Sequence, residues 1–594
     1  MKLIFTLIFS LTALASSADR PNILWITAED HGPHLGCYGD SYATTPHIDA
    51  LASMSQLYTR ASSNAPVCAP ARTTLITGIY PTTLGAQNMR SKLPIADELK
   101  TYPELLRAAG YYCTNQSKED YNLILNRKIW DDSSRKAHWK NRPLGKPFFA
   151  IFNTTASHES QIRNANASTK HDSNKAPIPP YHPDTPEVRK DWAQYYDRLT
   201  LVDKYVKKQL DALKKAGLEN DTIIFFYADH GSGMPRHKRY PGWSGLHVPL
   251  IVHIPEKWQA YADSNYLAGG KSDDLVSFVD FAPSLCSLAS ITPPSYQHGT
   301  AFLGPHKLKS RQYSFGFRGR MDERIDFCRS VTDGRYIYIR NFMPYLPHGQ
   351  DLSYQLATPT TRVWRDLAKS NKLNKVQSAF WSPHPAEELY DLQGDPHETI
   401  NLAKQPAHLD RILKFRQTLS QHMLATRDSG FMPEVFTHSL LAEQNTDLVT
   451  ALAEESNYPL SQLVKLVTPG WIPEPTTPLA QFWKLQHFLS RGKSVTDEQK
   501  QWIQQASQHS HPGVQIPAHE WLCLYGEKQK SSVNQLIALI SSPKSDNASQ
   551  LTALNALYRI QQRGIQVKLP QSVPSKRSLY IDYKYVERLV ESLR

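Results

Sequence analysis

Two kinds of apolar pattern alternate along the first half of the chain. Short continuous runs, NILWIT (22–27), PFFAIFNTT (147–155), DTIIFFYAD (221–229) and PLIVHIP (249–255), have the length and the β-branched, aromatic character of buried strands. Segments of helical spacing lie between them, among them 48–58 and 102–113. A helix at about 195–216 sets Leu199, Leu201, Val202, Val206, Leu210 and Leu213 near the 3.6-residue period and stops at Gly217. This alternation predicts an α/β domain over residues 19–310, a mostly parallel sheet sandwiched by helices. Sites in such sheets gather at the carboxyl ends of the strands.

The pattern then changes twice. Residues 311–425 carry β-rich runs, YSFGF (313–317), DFCRSVTDGRYIYIRNF (326–342) and EELYDLQGDPHETINLA (387–403). Asp333-Gly334 reads as a hairpin turn, so a smaller antiparallel-sheet subdomain is expected. From 430 to 594 only helical segments recur, predicting an all-α extension, HEAT-like or a bundle. The pieces VNQLIALISSPKSDN and ASQLTALNALYRIQQRG look like the two helices of one HEAT unit.

Residues 1–18 read as a signal peptide: Lys2, an apolar run over 3–14, then Ser16-Ser17-Ala18 as a small-residue cleavage site. The run falls short of the ~18 residues a membrane span requires, and no later stretch is longer. A secreted or periplasmic protein without a membrane span is expected. The six cysteines show no regular spacing and no CxxC pair, so they read as buried residues with at most one chance bridge. The formal net charge of +12 fits a polyanionic partner and fits solubility alone equally well. No Lys/Arg block or aromatic-basic stripe of nucleic-acid type occurs, so no nucleic acid is expected and an acidic glycan is the better partner.

Two strand ends carry candidate chemistry. NILWITAED ends in Glu29 and Asp30, and IIFFYADHG ends in Asp229 and His230. Gly32 and Gly231 let the chain turn there, so that four donors from two ends converge on one cation. A carboxylate-rich set suits a hard cation, Ca2+ or Mg2+. Either pair alone is an ordinary loop start; the two together with the next motif point to a metal. That motif is NAPVCAPARTTLITG (64–78). Pro70 suits the first turn of a helix, which puts Cys68 at the helix N-terminus, where backbone N–H groups attract anions. Arg72, one turn on, adds a permanent planar donor fork.

At this point the chain resembles a family. CAPAR fits the C-x-P-x-R signature of the type I sulfatases of the alkaline-phosphatase-like superfamily. The segments RPNILWITAEDHGPHLGCYGD, DTIIFFYADHG, VPLIVHIP, DFAPSLCSLA and ELYDLQGDPHETINLA follow in that family's order, over about residues 20–403. The flavour is that of the heparan N-sulfatase-like group. The resemblance implies that Cys68 is oxidised to Cα-formylglycine by a formylglycine-generating or radical-type maturase, and that its hydrate is the nucleophile. It implies Glu29, Asp30, Asp229 and His230 as metal ligands, together with the modified Cys68, and Ca2+ ahead of Mg2+. Arg72 holds the modified side chain, Lys118, His158 and Lys238 bind sulfate, and Asp120 contacts the leaving group. The implied substrate is a sulfated polysaccharide or oligosaccharide, cut at O- or N-sulfate.

Four positions depart from the family pattern. Glu29 stands where Asp is usual, Ala71 where Ser is commoner, and Asp120 where many members have His. Arg236 competes with Lys238 for one role. Arg318 and Arg320 read equally as cleft residues or as a salt-bridge network. Two alternatives stay open: a phosphate or phosphonate ester hydrolase of the same superfamily, and a non-catalytic relative that binds sulfated glycans.

Overall fold

The computed structural model describes residues 20–164, 168–574, 580–581 and 584–594; the leader read at 1–18 lies outside the described residues. In chain order the strands are β1 (Asn22–Ala28), β2 (Gln56–Ser62), β3 (Leu93–Pro94), β4 (Tyr112–Gln116), β5 (Leu123–Ile124), β6 (Asp132–Ser133), β7 (Phe148–Thr154), β8 (Thr222–Ala228), β9 (Leu250–His253), β10 (Lys271–Ser277), β11 (Ser314–Arg318), β12 (Cys328–Thr332), β13 (Tyr336–Asn341) and β14 (Glu387–Asp391).

Eight of them form one sheet in the order β10-β2-β9-β8-β1-β7-β4-β6. β9 pairs antiparallel with both its neighbours, and the other pairs are parallel, so the sheet is mixed as well as helix-covered. β1 explains why the apolar runs are continuous. Its Ile23 and Trp25 join a core on one face with Phe149, Phe225 and Tyr227. Its Leu24 and Ile26 join a core on the other face with Phe148, Phe226, Val202 and Val206. A strand buried on both faces has no polar side to alternate with.

The long helix on the second face runs Pro186–Lys215, about nine residues longer at its start than its apolar spacing predicted. Thr185 caps it, its hydroxyl accepting from Val188 N–H, and Pro186 occupies the first turn. The two early turns bury Val188 and Trp192 in a core of their own with Tyr195 and Tyr196.

β11, β12, β13 and β14 form the antiparallel second sheet, with Asp333 and Gly334 in the β12–β13 turn. Gly334 has φ 88°, the left-handed conformation that glycine adopts at no steric cost. The helical region from 430 onward shares a core with this sheet. Val331, Tyr338 and Leu389 pack with Ile412, Phe415, Phe431, Val435 and Trp483 in one cluster. Arg329 in β12 locks onto Asp428 through two hydrogen bonds, Nε to Oδ2 at 2.6 Å and Nη2 to Oδ1 at 2.7 Å. The extension ends in a helix pair, Asn547–Gln562 and Tyr585–Leu593, with its own apolar cluster. All six cysteines are free. Among the described residues no helix is long and apolar enough to cross a membrane.

Candidate active site

Register brings the two acidic strand ends together. β1 and β8 lie side by side, and Ala28 is paired with Ala228. The next residues, Glu29-Asp30 and Asp229-His230, therefore leave the sheet as neighbours. Asp30 N–H donates to Asp229 Oδ1 at 3.1 Å, which fixes the two turns to each other. The turn after β1 is made by Asp30 itself, whose φ is +51°, and not by Gly32. A non-glycine residue in that region costs free energy that the surrounding bonds must hold. Gly231 is needed for a different reason: a Cβ there would meet Ser244 O at 2.1 Å.

β7 and β4 deliver the next residues from the same edge. The loop after β7 carries His158 and Glu159, and Glu159 N–H donates to Asp30 Oδ2 at 2.7 Å. The loop after β4 carries Lys118, whose Nζ lies 2.9 Å from Glu29 Oε1 and 3.5 Å from Asp120 Oδ2. The helix Cys68–Thr77 begins at Cys68, which is 1% exposed. Its Sγ lies 3.5 Å from His230 Nε2 and 3.9 Å from Asp30 Oδ1. One turn along, Arg72 braces three strand ends. Its Nε donates to Asp229 Oδ2 at 3.2 Å, its Nη1 to Asn153 Oδ1 at 2.9 Å, and its Nη2 lies 3.5 Å from Glu29.

Lys238 reaches in from the loop after β8. Its Nζ lies 2.9 and 2.7 Å from the two oxygens of Asp30 and 3.0 Å from Glu159. Glu29, Cys68, Lys118, His158 and Lys238 line one open cavity of about 290 Å3. Asp30, Asp229 and His230 lie buried at its base.

Charge governs this base. Burial pushes the Cys68 thiol up, but the Lys238 ammonium and a hydrogen bond with His158 contribute to a net lowering below its ordinary value. Burial lowers His230, and the Asp229 and Asp30 carboxylates more than reverse this, raising it to about 10. Burial and the Lys238 charge lower His158, yet Asp30 and the contact with Cys68 leave it raised. Burial raises Glu159, but Arg239 and Lys238 hold it down at about 2. The lowered carboxyls, Asp30, Asp229 and Glu159, are matched by cations, as buried charges must be.

The buried carboxylates and the His230 ring are grouped closely enough to hold one divalent cation, which would displace the His230 proton. Ligand atoms of Asp30, Cys68 and His230 lie within 4.8 Å of one another. His230 sits between two carboxylates, 3.0 Å from Asp30 and 3.7 Å from Asp229, which together draw positive charge to that point. Glu29 is turned toward Lys118 and Arg72 at the edge of this set.

The Sulfatase family profile matches residues 21–121 and 112–291. An ulvan-active sulfatase of Formosa agariphila is 36% identical over 483 residues, covering 73% of this chain and 80% of that protein. The chain belongs to the sulfatase family. It is a sulfuric ester hydrolase. The N-sulphoglucosamine sulphohydrolase of Homo sapiens is 25% identical over 477 residues, covering 69% of this chain and 91% of that protein. The resemblance to the sulfatase family read from the motifs is borne out. Two solved structures share the fold: a 2-O GAG sulfatase (TM-score 0.51, 19% identity, 69% of this chain and 93% of the other) and the phosphonate monoester hydrolase of Silicibacter pomeroyi (TM-score 0.51, 17% identity, 69% and 97%).

Not every residue singled out from this sulfatase's sequence reaches the cavity. Asp120 lines a neighbouring cavity and accepts from Arg90 Nη1 at 3.0 Å, so it meets the site through Lys118. Arg236 points away: its guanidinium stacks 4.2 Å over the Tyr181 ring and donates to Glu398 O. Lys238 therefore takes the place the two contested. Arg318 pairs with Asp326 and Arg320 with Glu434, a structural network clear of the cavity. Sequence reasoning missed Glu159, Arg239, Asp322, Tyr354, Arg90 and Arg588, all of which line the cavity. Glu159 and Arg239 adjoin residues that were read, and that adjacency was the available signal. Tyr354 and Arg588 had none.

Proposed function

We propose that this sulfatase is an exported enzyme that removes sulfate from a sulfated polysaccharide or its oligosaccharides, with Cys68 matured to Cα-formylglycine. The Cys68 environment carries the reading: a buried side chain at a helix N-terminus, beside a carboxylate-and-histidine set, with Lys118 and Lys238 lining the same cavity. The Formosa agariphila relative is named for its action on ulvan, which supports an acidic polysaccharide as substrate. The +12 net charge supports a polyanion as well.

Glu29, Asp30, Asp229 and His230 would hold Ca2+ or Mg2+, which supplies Lewis-acid stabilisation of developing negative charge. The modified Cys68 would supply the attacking hydroxyl that displaces the substrate alcohol, and a second hydroxyl whose deprotonation would expel sulfate and leave an aldehyde for water to rehydrate. Lys118 and Lys238 place positive charge on the sulfuryl oxygens, where charge accumulates in the transition state. His158 takes the proton that the Cys68-derived group gives up. Arg72 keeps the strand ends and the modified side chain in register. Residues 19–310 are the catalytic domain in this reading, 311–425 its subdomain and 430–594 the helical extension. A maturase reaches the chain before it folds, and the leader at 1–18 directs export.

The test is the mass of the tryptic peptide ASSNAPVCAPAR (61–72) from protein made in its native host. An aldehyde in place of the thiol group is the expected species. The thiol alone, in the presence of an active maturase, sinks the formylglycine reading.

A further inference from the structure

Arg588, on the helix Tyr585–Leu593, lines the cavity over Cys68 with Arg90, Arg239 and Tyr354. This helix is firmly seated. Tyr585, Leu589 and Leu593 are buried in the apolar cluster that includes Leu551, Leu554 and Leu557. The Arg320 guanidinium lies 4.9 Å over the Tyr585 ring, and Asn555 Nδ2 in the facing helix donates to Glu323 O at 2.9 Å. Just upstream, Ile581 bridges to Ser91, and Lys92 N–H donates to Tyr580 O at 2.7 Å, which brings that segment beside Arg90.

The inner cations of the cavity serve one sulfate. Lys118 and Lys238 stand over Glu29, Asp30 and Cys68, at the carboxyl ends of the main-sheet strands. Arg588 belongs to an outer set. Its side chain is 21% exposed and faces the cavity, with Glu323 at 3.9 Å. It lies 5.9 Å from the centre of the Tyr354 ring, which also has Arg163 at 4.0 Å, Arg239 at 5.9 Å and His158 at 6.3 Å. An aromatic wall with guanidinium groups around it, beside the position of the reacting sulfate, suits a sugar ring that bears its own negative charge. Guanidinium takes carboxylate or sulfate through two parallel hydrogen bonds.

We infer that the last helix is part of the substrate site: Arg588 binds a second anionic group of the substrate, a carboxylate or sulfate on the sugar next to the one that is desulfated. This rests on the polysaccharide reading above. The extension is then a specificity element for the catalytic domain.

The test compares the full-length enzyme with Arg588→Ala and Arg588→Lys on four substrates. These are 4-nitrophenyl sulfate and three sulfated disaccharides whose second sugar is neutral, carboxylated or sulfated. The expected result for Arg588→Ala is a loss in kcat/KM of about 10- to 100-fold on an acidic disaccharide, beyond any loss on the neutral one and the aryl sulfate, and carried mainly by KM. Arg588→Lys recovers part of it. Whichever acidic disaccharide shows the loss identifies the anion. Equal losses on all four substrates, or no loss on any, overturn the inference and leave the polysaccharide reading intact. Cleavage of the aryl sulfate by the unaltered enzyme with no cleavage of any disaccharide overturns both.

Discussion

The floor of the cavity and its outer wall hold their charges differently. In the floor, Arg72, Lys118 and Lys238 each have a carboxylate oxygen within 3.0 Å, and the acidic partners are the residues that follow β1 and β8. Those carboxylates are buried and fixed by sheet register. In the outer wall, Arg588 rides on the last helix, beside the Tyr354 ring and away from the sheet. Reaction chemistry needs groups fixed to fractions of an ångström, and sheet ends provide that. Recognition of one anion among several needs charge at the right side of the cavity, and an added helix is sufficient. The same separation of a rigid scaffold from variable surface elements recurs widely in enzymes.

The largest effect belongs to the floor. Cys68→Ala is expected to lower kcat/KM on 4-nitrophenyl sulfate by at least about 10^3-fold, because the nucleophile is gone. Activity within tenfold of the unaltered enzyme would place the chemistry elsewhere. Stability should separate from activity at the joint between the second sheet and the helical region. Arg329→Met leaves Asp428 charged and buried, and should cost about 3–5 kcal/mol in urea unfolding. Folded Arg329→Met protein should cleave the aryl sulfate within about twofold of normal; a hundredfold loss would mean that the extension and the floor are mechanically one.

Lys118→Ala should reduce kcat/KM by about 100-fold on aryl sulfate and disaccharide alike, unlike Arg588→Ala. A loss confined to one substrate would erase the contrast between floor and wall. The smallest effect is a pH dependence far from both. Burial raises the Asp191 carboxyl to about 7, against bonds from Thr360 N–H and Oγ1 that favour its charged form. The folded chain thus keeps a proton that the unfolded chain has lost, so stability should fall as pH rises from about 4 to about 7 and level off above. Both bonds fall on Oδ2, so Asp191→Asn can keep them without a charge. It should flatten that slope and add about 1–2 kcal/mol at pH 8. An unchanged slope in thermal melts from pH 5 to 8 would show that Asp191 titrates normally.

How far the sequence could be read tracks the same division. Glu29, Asp30, Asp229 and His230 were legible because each follows an apolar run, and Cys68 because its proline and arginine sit at helical spacing. The reason given for the turns was only half right. Glycine spacing suggested Gly32 as the pivot, whereas Asp30 takes the left-handed conformation. The long helix starts upstream of its leucines and valines because Val188, Trp192 and Tyr195 continue the same stripe, with aromatic side chains that pack beside Leu199. The change of pattern near 430 marked a real change of element type, yet Phe431 and Trp483 share one core with Val331 and Tyr338, a fact no local pattern carries. Arg588 was out of reach for the same reason: the contact that gives it meaning is with residues hundreds of positions away.

Placing the outer wall in the last helix also orders events in time. A chain grows and folds from its N-terminus. Cys68 and every floor residue through Lys238 emerge early, while the last lining residue, Arg588, arrives only with residues 585–593. Any enzyme that acts on Cys68, a side chain 1% exposed in the finished fold, has that interval in which to reach it. If Cys68 is matured as proposed and Arg588 selects the substrate, the segment that sets selectivity is also the last part of the cavity to be made.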